Sequence, residues 1–355
     1  MVSTKRSLIS IFLIIIVSST VVGAYFVFLA PPKTPASNVV KVTRYVGALA
    51  DSEAAFFAAD AEGFYEQNGI SLTQVITGGT TVAIQALAAD KTGLSFVWGS
   101  LINIVLFESQ NPNSTELISV ASTGHANPVS IQYLKSSGIS KPSDLVGKVV
   151  GVNPTGLSFT MFQAFLKQNG LTDKIRIEMI AVPALVPALL SRKVDAIVQF
   201  ATNFAVLNSN AKEINEEASM FLLSDYGLPN LGLGIIVQKK LVSDRPDVVK
   251  RIVNATMQGM RFCVLEPASC AADFVKVNPT FEFNETLDDL GFFINFDLGP
   301  PFNNHDKMTN LTALQLGWHD PKEVAQIVEF AKETYSVSAE LSPESVYTNQ
   351  FVEQP

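Results

Sequence analysis

A strand–helix alternation that occurs twice is the feature that most constrains the fold. In each series, short β-rich runs end in small or hydroxylic residues, and an apolar helical segment follows. The predicted strands span 39–47, 71–77 and 94–98 in the first series and 147–152, 175–182 and 195–200 in the second. Such alternation predicts an α/β protein with mostly parallel sheets and helices on both faces. Because ligands bind beyond the carboxyl ends of such strands, two facing units predict a binding cleft.

Length and composition agree with a folded chain of two domains. The 355 residues exceed what one small core needs, and 47% of them are hydrophobic. The formal net charge of −8, without a cluster of Lys and Arg, argues against nucleic acid as a partner. The three histidines, His125, His305 and His319, are scattered, and their spacing predicts no metal site. We therefore expect neither a metal nor another cofactor.

The first thirty residues differ from the rest of the chain. Lys5 and Arg6 precede 23 uncharged residues, from Leu8 to Ala30. At about 1.5 Å per residue, this stretch can cross a hydrocarbon core of about 30 Å. Two interpretations stay open, a retained transmembrane anchor (1–30) and a cleaved signal peptide. In both, residues 31–38 form a short linker, and the protein lies outside the cytoplasm, anchored at the cell surface or secreted.

The stretch GVNPTGLS (151–158) has the glycine spacing of a phosphate-binding P-loop, but Leu157 stands in the lysine position. A P-loop needs that lysine to hold the β- and γ-phosphates. Pro154 also removes a backbone N–H donor. Nucleoside triphosphate hydrolysis is therefore excluded. The remaining feature is a helix N-terminus with the hydroxyls of Thr155 and Ser158, which either holds a polar or anionic group or caps an ordinary helix.

Cys263 and Cys270 are the only cysteines of the chain. On one continuous helix their Cα atoms would lie about 10 Å apart, too far for a disulfide. Pro267 should break that helix and could bring the two thiols into range. We therefore predict a disulfide, with two buried free thiols as the alternative.

Longer motifs resemble the solute-binding proteins of ABC importers that take up nitrate, sulfonates, taurine and thiamine-pyrimidine precursors. The run GFYEQNGI (63–70), followed by a strand, a Gly-rich turn and a helix, is similar to the first-lobe opening of that family. The run DLVGKVVGV (144–152) is similar to its second-lobe opening. The resemblance extends from about residue 41 to the end of the sequence.

The resemblance implies a two-lobed type II periplasmic-binding-protein fold that closes around its ligand. It assigns residues 39–126 and 227–355 to lobe 1 and residues 127–226 to lobe 2. The two crossings, near Asn127 and Asp225–Tyr226, would act as the hinge, and the closed form would dock on an ABC permease and its ATPase. It also implies a protein that captures a small-molecule ligand and releases it unchanged, rather than an enzyme.

Two later stretches resemble members that bind pyrimidine precursors of thiamine, including THI5-like proteins. They are SDYGLP (224–229) and YTNQF (347–351). These stretches favour a small heteroaromatic ligand of the pyrimidine type, with riboflavin, nitrate, a sulfonate or taurine as alternatives on the same fold. A THI5-type pyrimidine synthase is the enzymatic alternative, but such enzymes carry a cysteine-rich segment that this sequence lacks.

The candidate ligand-binding residues follow the predicted strands and face the predicted cleft. Trp98, Phe200 and Tyr226 would stack on a flat ring, while Asn203 and several hydroxyls would hydrogen-bond to ring nitrogens and exocyclic groups. These strand ends offer no Lys or Arg, and Arg44 lies within a strand, which argues against an anionic ligand. The full candidate set is Asp51, Ser52, Thr80, Thr81, Trp98, Gly99, Ser100, Asn153, Thr155, Ser158, Phe200, Asn203 and Tyr226.

Overall fold

The computed structural model describes residues 39–298, 311–335, 337 and 341–355. The predicted anchor or signal peptide (1–30) and the linker (31–38) lie outside the described residues. Within the described ranges, no helix combines the length and the apolar character needed to cross a bilayer.

The first of two sheets contains strands from both ends of the described chain. Its strands are β1 (Val40–Val46), β2 (Ile70–Ile76), β3 (Ser95–Ser100), β4 (Leu117–Gly124) and β10 (Leu233–Gln238). Their order across the sheet is β2–β1–β3–β10–β4. The helices that connect its first four strands are α1 (Ala54–Ala61), α2 (Phe64–Gln67), α3 (Thr80–Ala89) and α4 (Leu101–Gln110).

The second sheet comes from the middle of the chain. Its strands are β5 (Val129–Leu134), β6 (Val149–Val152), β7 (Arg176–Met179), β8 (Ala196–Phe200) and β9 (Ala218–Leu222), in the order β7–β6–β8–β5–β9. Its connecting helices are α5 (Leu157–Gln168), α6 (Val182–Leu190) and α7 (Phe204–Glu213). We call the first sheet with its helices the first lobe, and the second sheet with its helices the second lobe.

Among the described residues, six α-helices follow the last strand. They are α8 (Lys239–Asp244), α9 (Pro246–Leu265), α10 (Pro267–Val277), α11 (Phe283–Phe292), α12 (Ala313–Leu316) and α13 (Pro321–Tyr335). Helices α9 and α10 pack on α1, and α13 packs on α4, so this region mainly enlarges the first lobe. Helix α11 differs, because it contacts α10 and also α7 of the second lobe.

In each sheet four strands run in one direction and one runs against them, so the prediction of mostly parallel sheets is confirmed, but the reversed strand was not predicted. The predicted βα series do form parallel pairs, β1 with β2 and β3, and β6 with β7 and β8. However, β10 runs antiparallel to β3 and β4, and β5 runs antiparallel to β8 and β9. The reason is the chain path. Strand β4 leads out of the first sheet and β10 returns to it, while β5 enters the second sheet and β9 leaves it.

Four of the ten described strands are buried along their whole length. Every residue of β3, β4, β5 and β10 is buried, as expected for strands covered on both faces. The edge strand β2, by contrast, exposes alternate residues. The carboxyl ends of the parallel strands therefore rest on a firmly packed support.

Cys263 and Cys270 form a disulfide, with their Cα atoms 5.0 Å apart. Helix α9 ends at Leu265, and α10 begins with Pro267, whose ring leaves no N–H to continue the first helix. The break turns the chain back and brings together two fully buried sulfur atoms. The alternative of two free thiols does not apply.

Candidate functional site

A cavity of about 90 Å³ lies between the two lobes, at the carboxyl ends of the parallel strands. The first lobe contributes Ala48, Ala50, Ser52, Glu53, Gly79, Thr80, Trp98, Gly99 and Leu233. The second lobe contributes Asn153, Gly156, Leu157, Ser158, Val182, Leu185, Val198, Gln199, Phe200 and Asn203. Loops that lie far apart in the sequence meet here because each follows a strand whose carboxyl end points into the cleft.

Eight of the thirteen predicted residues line this cavity. They are Ser52, Thr80, Trp98, Gly99, Asn153, Ser158, Phe200 and Asn203. The other five, Asp51, Thr81, Ser100, Thr155 and Tyr226, do not, and each of them has a partner elsewhere in the protein.

Two aromatic rings, one from each lobe, meet edge to face in the cavity wall. Trp98 from the first lobe and Phe200 from the second lie with their ring centroids 6.4 Å apart and their planes at 87°. A flat ligand can therefore stack on one of these rings and meet the edge of the other, but it cannot be sandwiched between two parallel faces. The Trp98 indole N–H donates to Thr123 Oγ1 at 2.7 Å, so the indole is held from behind.

Three of the predicted residues outside the cavity have roles within the fold. Asp51 is buried and accepts a hydrogen bond from Thr286 Oγ1 on α11. Ser100 caps α4, because its Oγ accepts from the N–H of Ile102 at 3.0 Å. Tyr226 packs edge-on against Phe165 at 6.1 Å and Phe221 at 5.3 Å, close to the return crossing. The prediction of Tyr226 as a stacking residue therefore has no support from its position.

Thr155 and Thr81 bond to the opposite lobe instead of lining the cavity. Thr155 Oγ1 lies 3.1 Å from the carbonyl oxygen of Gly78, and the N–H of Thr81 donates to the carbonyl oxygen of Thr155 at 3.1 Å. Asn153 Nδ2 also donates to Gly78 O, at 3.4 Å. The stretch that resembles a P-loop thus joins the two lobes at the edge of the cavity.

A buried ion pair beneath the first-lobe wall was not predicted. Glu53 lines the cavity and pairs with Arg44, which is fully buried and also donates to Gln74 Oε1 at 2.7 Å. The Arg44 guanidinium lies 3.8 Å from the centroid of the Phe56 ring, and burial lowers its pKa to about 9. A signal was present in the sequence: Arg44 follows Val42 and precedes Val46 at two-residue spacing, on the inward face of β1.

The second-lobe wall carries neutral polar groups, some of which are not hydrogen-bonded to the described residues. Asn203 lines the cavity, and its Oδ1 is buried without a hydrogen-bond partner among the described residues, as is the neighbouring Thr202 Oγ1. Gln199 also lines the cavity, and its Nε2 donates to Gln132 Oε1 at 2.8 Å. Gln199 was missed because it precedes the strand end by one residue.

A buried carboxyl of α11 lies beside this wall. Asp289 Oδ1 accepts a hydrogen bond from the N–H of Ala205 in the second lobe at 3.0 Å. Burial, which dominates, and the nearby carboxylates of Asp51, Glu285 and Asp288 raise the pKa of Asp289 to about 9. Asp289 is therefore protonated at neutral pH.

The histidines in the described ranges serve the fold. His319 is buried between Ser119 Oγ at 2.8 Å and Asn349 Oδ1 at 2.9 Å, and burial lowers its pKa to about 4. His125 Nδ1 lies 2.7 Å from a Glu323 carboxylate oxygen. His305 lies outside the described residues. Within the described part of the chain, no group of three or more His, Cys, Asp and Glu side chains is arranged to hold a metal ion.

Curated relatives include proteins named for thiamine biosynthesis and for riboflavin binding. A Haemophilus influenzae protein named for thiamine biosynthesis is 27% identical over 242 residues, which cover 67% of this chain and 73% of that protein. The riboflavin-binding protein RibY of Chloroflexus aurantiacus is 24% identical over 335 residues, covering 91% of this chain and 90% of RibY.

Solved structures show the same fold at low sequence identity. The periplasmic nitrate-binding protein NrtA of Synechocystis PCC 6803 superposes with a TM-score of 0.67 at 11% identity, covering 88% of this chain and 87% of NrtA. The alkanesulfonate-binding protein SsuA of Xanthomonas axonopodis pv. citri, bound to MOPS, gives 0.58 at 14% identity, covering 74% and 84%. The desulfurization enzyme DSZB gives 0.54 at 15% identity, covering 88% and 97%. These likenesses confirm the expected periplasmic-binding-protein fold.

The family assignment rests on the sequence itself. The sequence model of the family described as NMT1/THI5 like matches residues 52–270, which is more than half of the chain. This chain therefore belongs to the NMT1/THI5-like family.

Proposed function

We propose that this protein captures a small heteroaromatic solute of the thiamine-pyrimidine type outside the cytoplasm and delivers it unchanged to an ABC permease. The observation that carries the proposal is the composition of the inter-lobe cavity. It combines two aromatic rings, Trp98 and Phe200, with the neutral amides of Gln199 and Asn203. Aromatic faces and neutral donors and acceptors are what a flat, polar ring requires.

The charges around the cavity favour a neutral ligand over nitrate or a sulfonate. Among the described residues that line the cavity, Glu53 is the one charged side chain, and its partner is Arg44. The Arg44 guanidinium also binds Gln74 and does not itself line the cavity. An anionic ligand would therefore lack a cation to pair with and would face a carboxylate.

The size of the cavity favours one ring over three. Its volume of about 90 Å³ is small, whereas typical ligand pockets enclose roughly 300–1,000 Å³. A pyrimidine with small substituents fits such a space better than the tricyclic ring of a flavin. A second space of about 440 Å³ shares Ala50, Val182, Gln199 and Asn203 with this cavity. Riboflavin would have to extend into that space.

The chain path supports closure as the mechanism of capture. The chain passes from one sheet to the other between β4 and β5 and returns between β9 and β10. We assign residues 39–126 and 227–355 to lobe 1, residues 127–226 to lobe 2, and hinge motion to the two crossings. Ligand contacts made by both lobes at once would stabilise the closed form.

An enzymatic function is the second candidate. It is favoured by the relative named for thiamine biosynthesis and by the structural similarity to DSZB, which is an enzyme. A binding protein leaves its ligand unchanged, whereas a pyrimidine synthase would consume a substrate or release a new product. Product analysis by mass spectrometry after prolonged incubation therefore separates the two functions.

Calorimetric titration of the full-length protein tests the proposal. The ligands are hydroxymethylpyrimidine, formylaminopyrimidine, thiamine, riboflavin, taurine and nitrate. We expect saturable binding of a pyrimidine and no chemical change. A response confined to taurine or nitrate, or turnover of any ligand, would reject the proposed function.

Tryptophan fluorescence locates the site. The chain has two tryptophans, and Trp318 does not line the cavity, so a Trp318→Phe background makes fluorescence report on Trp98 alone. Measured by calorimetry, Trp98→Leu should weaken pyrimidine binding, whereas Phe262→Leu, which changes an aromatic ring of α9 away from both the cavity and the crossings, should not. Equal losses in both variants would contradict the proposed site.

A further inference from the structure

Two turns meet directly at the edge of the cavity and join the lobes. The first turn, Gly78–Thr81, opens α3 in the first lobe, and the second, Asn153–Thr155, precedes α5 in the second lobe. We call this pair of turns the clasp. Gly78 O lies 3.1 Å from Thr155 Oγ1 and 3.4 Å from Asn153 Nδ2, and the N–H of Thr81 donates to Thr155 O at 3.1 Å.

The second-lobe half of the clasp is organised by its own hydrogen bonds. Asn153 Oδ1 accepts from the N–H of Thr155 at 2.9 Å and lies 2.9 Å from Thr155 Oγ1. The turn therefore holds its donors in place, and its contacts with the first lobe require little further ordering.

A glycine is required at position 79 because Thr155 of the opposite lobe lies too close for a side chain, and not because of the backbone conformation at Gly79. A Cβ at Gly79 would lie 2.1 Å from Thr155 Oγ1 and 2.7 Å from Thr155 O. The backbone at Gly79, with φ of 170°, is extended and open to any residue. An alanine here would be accommodated while the lobes are apart and would collide only when the clasp forms.

The clasp sets the depth of closure over the cavity. Gly79, Thr80 and Asn153 are at once parts of the clasp and parts of the cavity wall. A guest that fills the cavity without pushing these residues apart keeps all the clasp hydrogen bonds. A larger guest holds the turns apart, and these hydrogen bonds are lost.

We propose that the clasp determines specificity by size, so that it closes over single-ring heteroaromatic guests and stays open around larger, fused-ring guests. This inference rests on the proposed function, because it concerns which member of that ligand class is retained. Gly79 and Thr155 act through the closed geometry, as positioning residues that need not contact the ligand.

The experiment compares Gly79→Ala with Gly291→Ala in the full-length protein. Gly291 lies in α11, and a Cβ there meets no atom of the described residues within 4 Å, so the control adds the same methyl group without a collision with them. With hydroxymethylpyrimidine as the probe, Gly79→Ala should lower the affinity about tenfold or more, and Gly291→Ala should not change it. With riboflavin, any binding should be equal in both variants.

Spin-label distances supply a readout of closure besides affinity. Both native cysteines are in the disulfide, so Lys91→Cys in the first lobe and Lys193→Cys in the second, both exposed, give two labelling sites. Hydroxymethylpyrimidine should shorten the distance in the wild type and in Gly291→Ala but not in Gly79→Ala. Wild-type affinity and shortening in Gly79→Ala, or full closure around riboflavin, would overturn the inference.

The outcome also separates failure of the clasp from failure of the proposed function. If the wild type binds none of the ligands, the proposed function is rejected, and the distances are then measured without ligand. Without ligand, the clasp predicts a closed fraction of molecules, with short distances, in Gly291→Ala that is missing in Gly79→Ala. Equal distances would reject the clasp independently.

Discussion

The two walls of the cleft differ in how their polar groups are paired. On the first-lobe wall, Arg44 pairs with Glu53 and Gln74, and the Trp98 indole N–H donates to Thr123. All these partners belong to the first lobe. Their hydrogen bonds therefore persist whether the lobes are together or apart, and the wall is a preorganised platform for one face of a ligand.

The second-lobe wall leaves its polar groups available. Asn203 Oδ1 and Thr202 Oγ1 are buried without partners among the described residues. Thr155 and Asn153 bond across to the first lobe. Buried polar atoms are costly until they are paired, so this wall gains most when a ligand arrives and the cleft closes. The comparison assigns a stable stacking surface to the first wall and the polar recognition of the ligand to the second.

The largest expected effect comes from breaking the ion pair of the first wall. Glu53→Gln leaves the Arg44 charge fully buried without its carboxylate. We expect the free energy of unfolding, measured by urea titration, to fall by about 3–5 kcal/mol. Replacing both residues by methionine should recover much of this loss, because a buried ion pair is often no more stable than an apolar replacement.

An exposed ion pair of the second lobe is the matched control. Lys135 and Glu217 lie 2.6 Å apart, but 60% and 74% of their side chains are exposed. Water and salt screen such a pair, so Glu217→Gln should leave the urea midpoint unchanged. Similar losses in Glu53→Gln and Glu217→Gln would remove the distinction between the two walls.

Removing the disulfide is the next largest perturbation of the first lobe. Cys263 and Cys270 are separated by 7 positions, and closing so short a loop stabilises by about 2.5 kcal/mol. The double variant with both cysteines changed to alanine should lose about that much in urea titration. Ligand affinity should not change, because neither residue lines the cavity. A parallel loss of affinity would show that first-lobe stability and recognition are coupled.

Much of the fold could be predicted because each strand of the βα series is marked locally by a short β-rich run that ends in a turn. The apolar run before Phe200 ends in a turn, and the observed strand β8 (Ala196–Phe200) begins one residue after the predicted one. The strands at the crossings between the sheets, such as β5 and β10, were harder to place. A fully buried run does not reveal which sheet it joins or in which direction it runs. Their antiparallel pairing follows from the chain path between lobes, a property of the whole topology.

The candidate site was predictable only where position along a strand determines it. Trp98 and Asn203 follow strand ends and line the cavity. Glu53 lines the cavity because its carboxylate pairs with Arg44 in β1. Tyr226 lies outside the cavity because its ring packs on Phe165 and Phe221. Thr155 was expected to bind a ligand, but its hydroxyl lies against Gly78 of the other lobe. Contacts between segments decide all three positions. The spacing of Arg44 in β1 is a local signal for a buried charge, but it does not identify Glu53 as the partner.

Two substitutions with expected effects of similar magnitude compare the second-lobe wall with the helix that supports the first lobe. Asn203→Ala removes an amide whose Oδ1 has no protein partner, so we expect pyrimidine affinity to fall by about 1.5 kcal/mol while stability is kept. Ser100→Ala removes the cap of α4 and should lower stability by about 1 kcal/mol without changing affinity. Calorimetry and urea titration of both variants should give opposite results. The same profile for both would contradict the division of roles.

The smallest effect concerns the pH dependence of the contact between α11 and the second lobe. The folded-state pKa of Asp289 is raised to about 9, above the unfolded value of about 3.9. The folded state therefore holds this proton more tightly, and the contribution to stability, complete below about pH 4, is lost as pH rises toward 9. Between pH 7 and 8, Asp51, with a pKa of about 6, and His319, with a pKa of about 4, have largely titrated already.

Arg44, with a pKa of about 9, has lost little of its proton by pH 8, so Asp289 dominates this window, and a neutral replacement provides the control. We expect the free energy of unfolding to fall by up to about 1.4 kcal/mol from pH 7 to 8. Asp289→Asn keeps an oxygen that can accept from the N–H of Ala205 but carries no titrating proton, so its stability should be level over the same interval. If wild type and variant decline in parallel, Asp289 is not the source of the slope, and the link between α11 and the second-lobe wall does not depend on its proton.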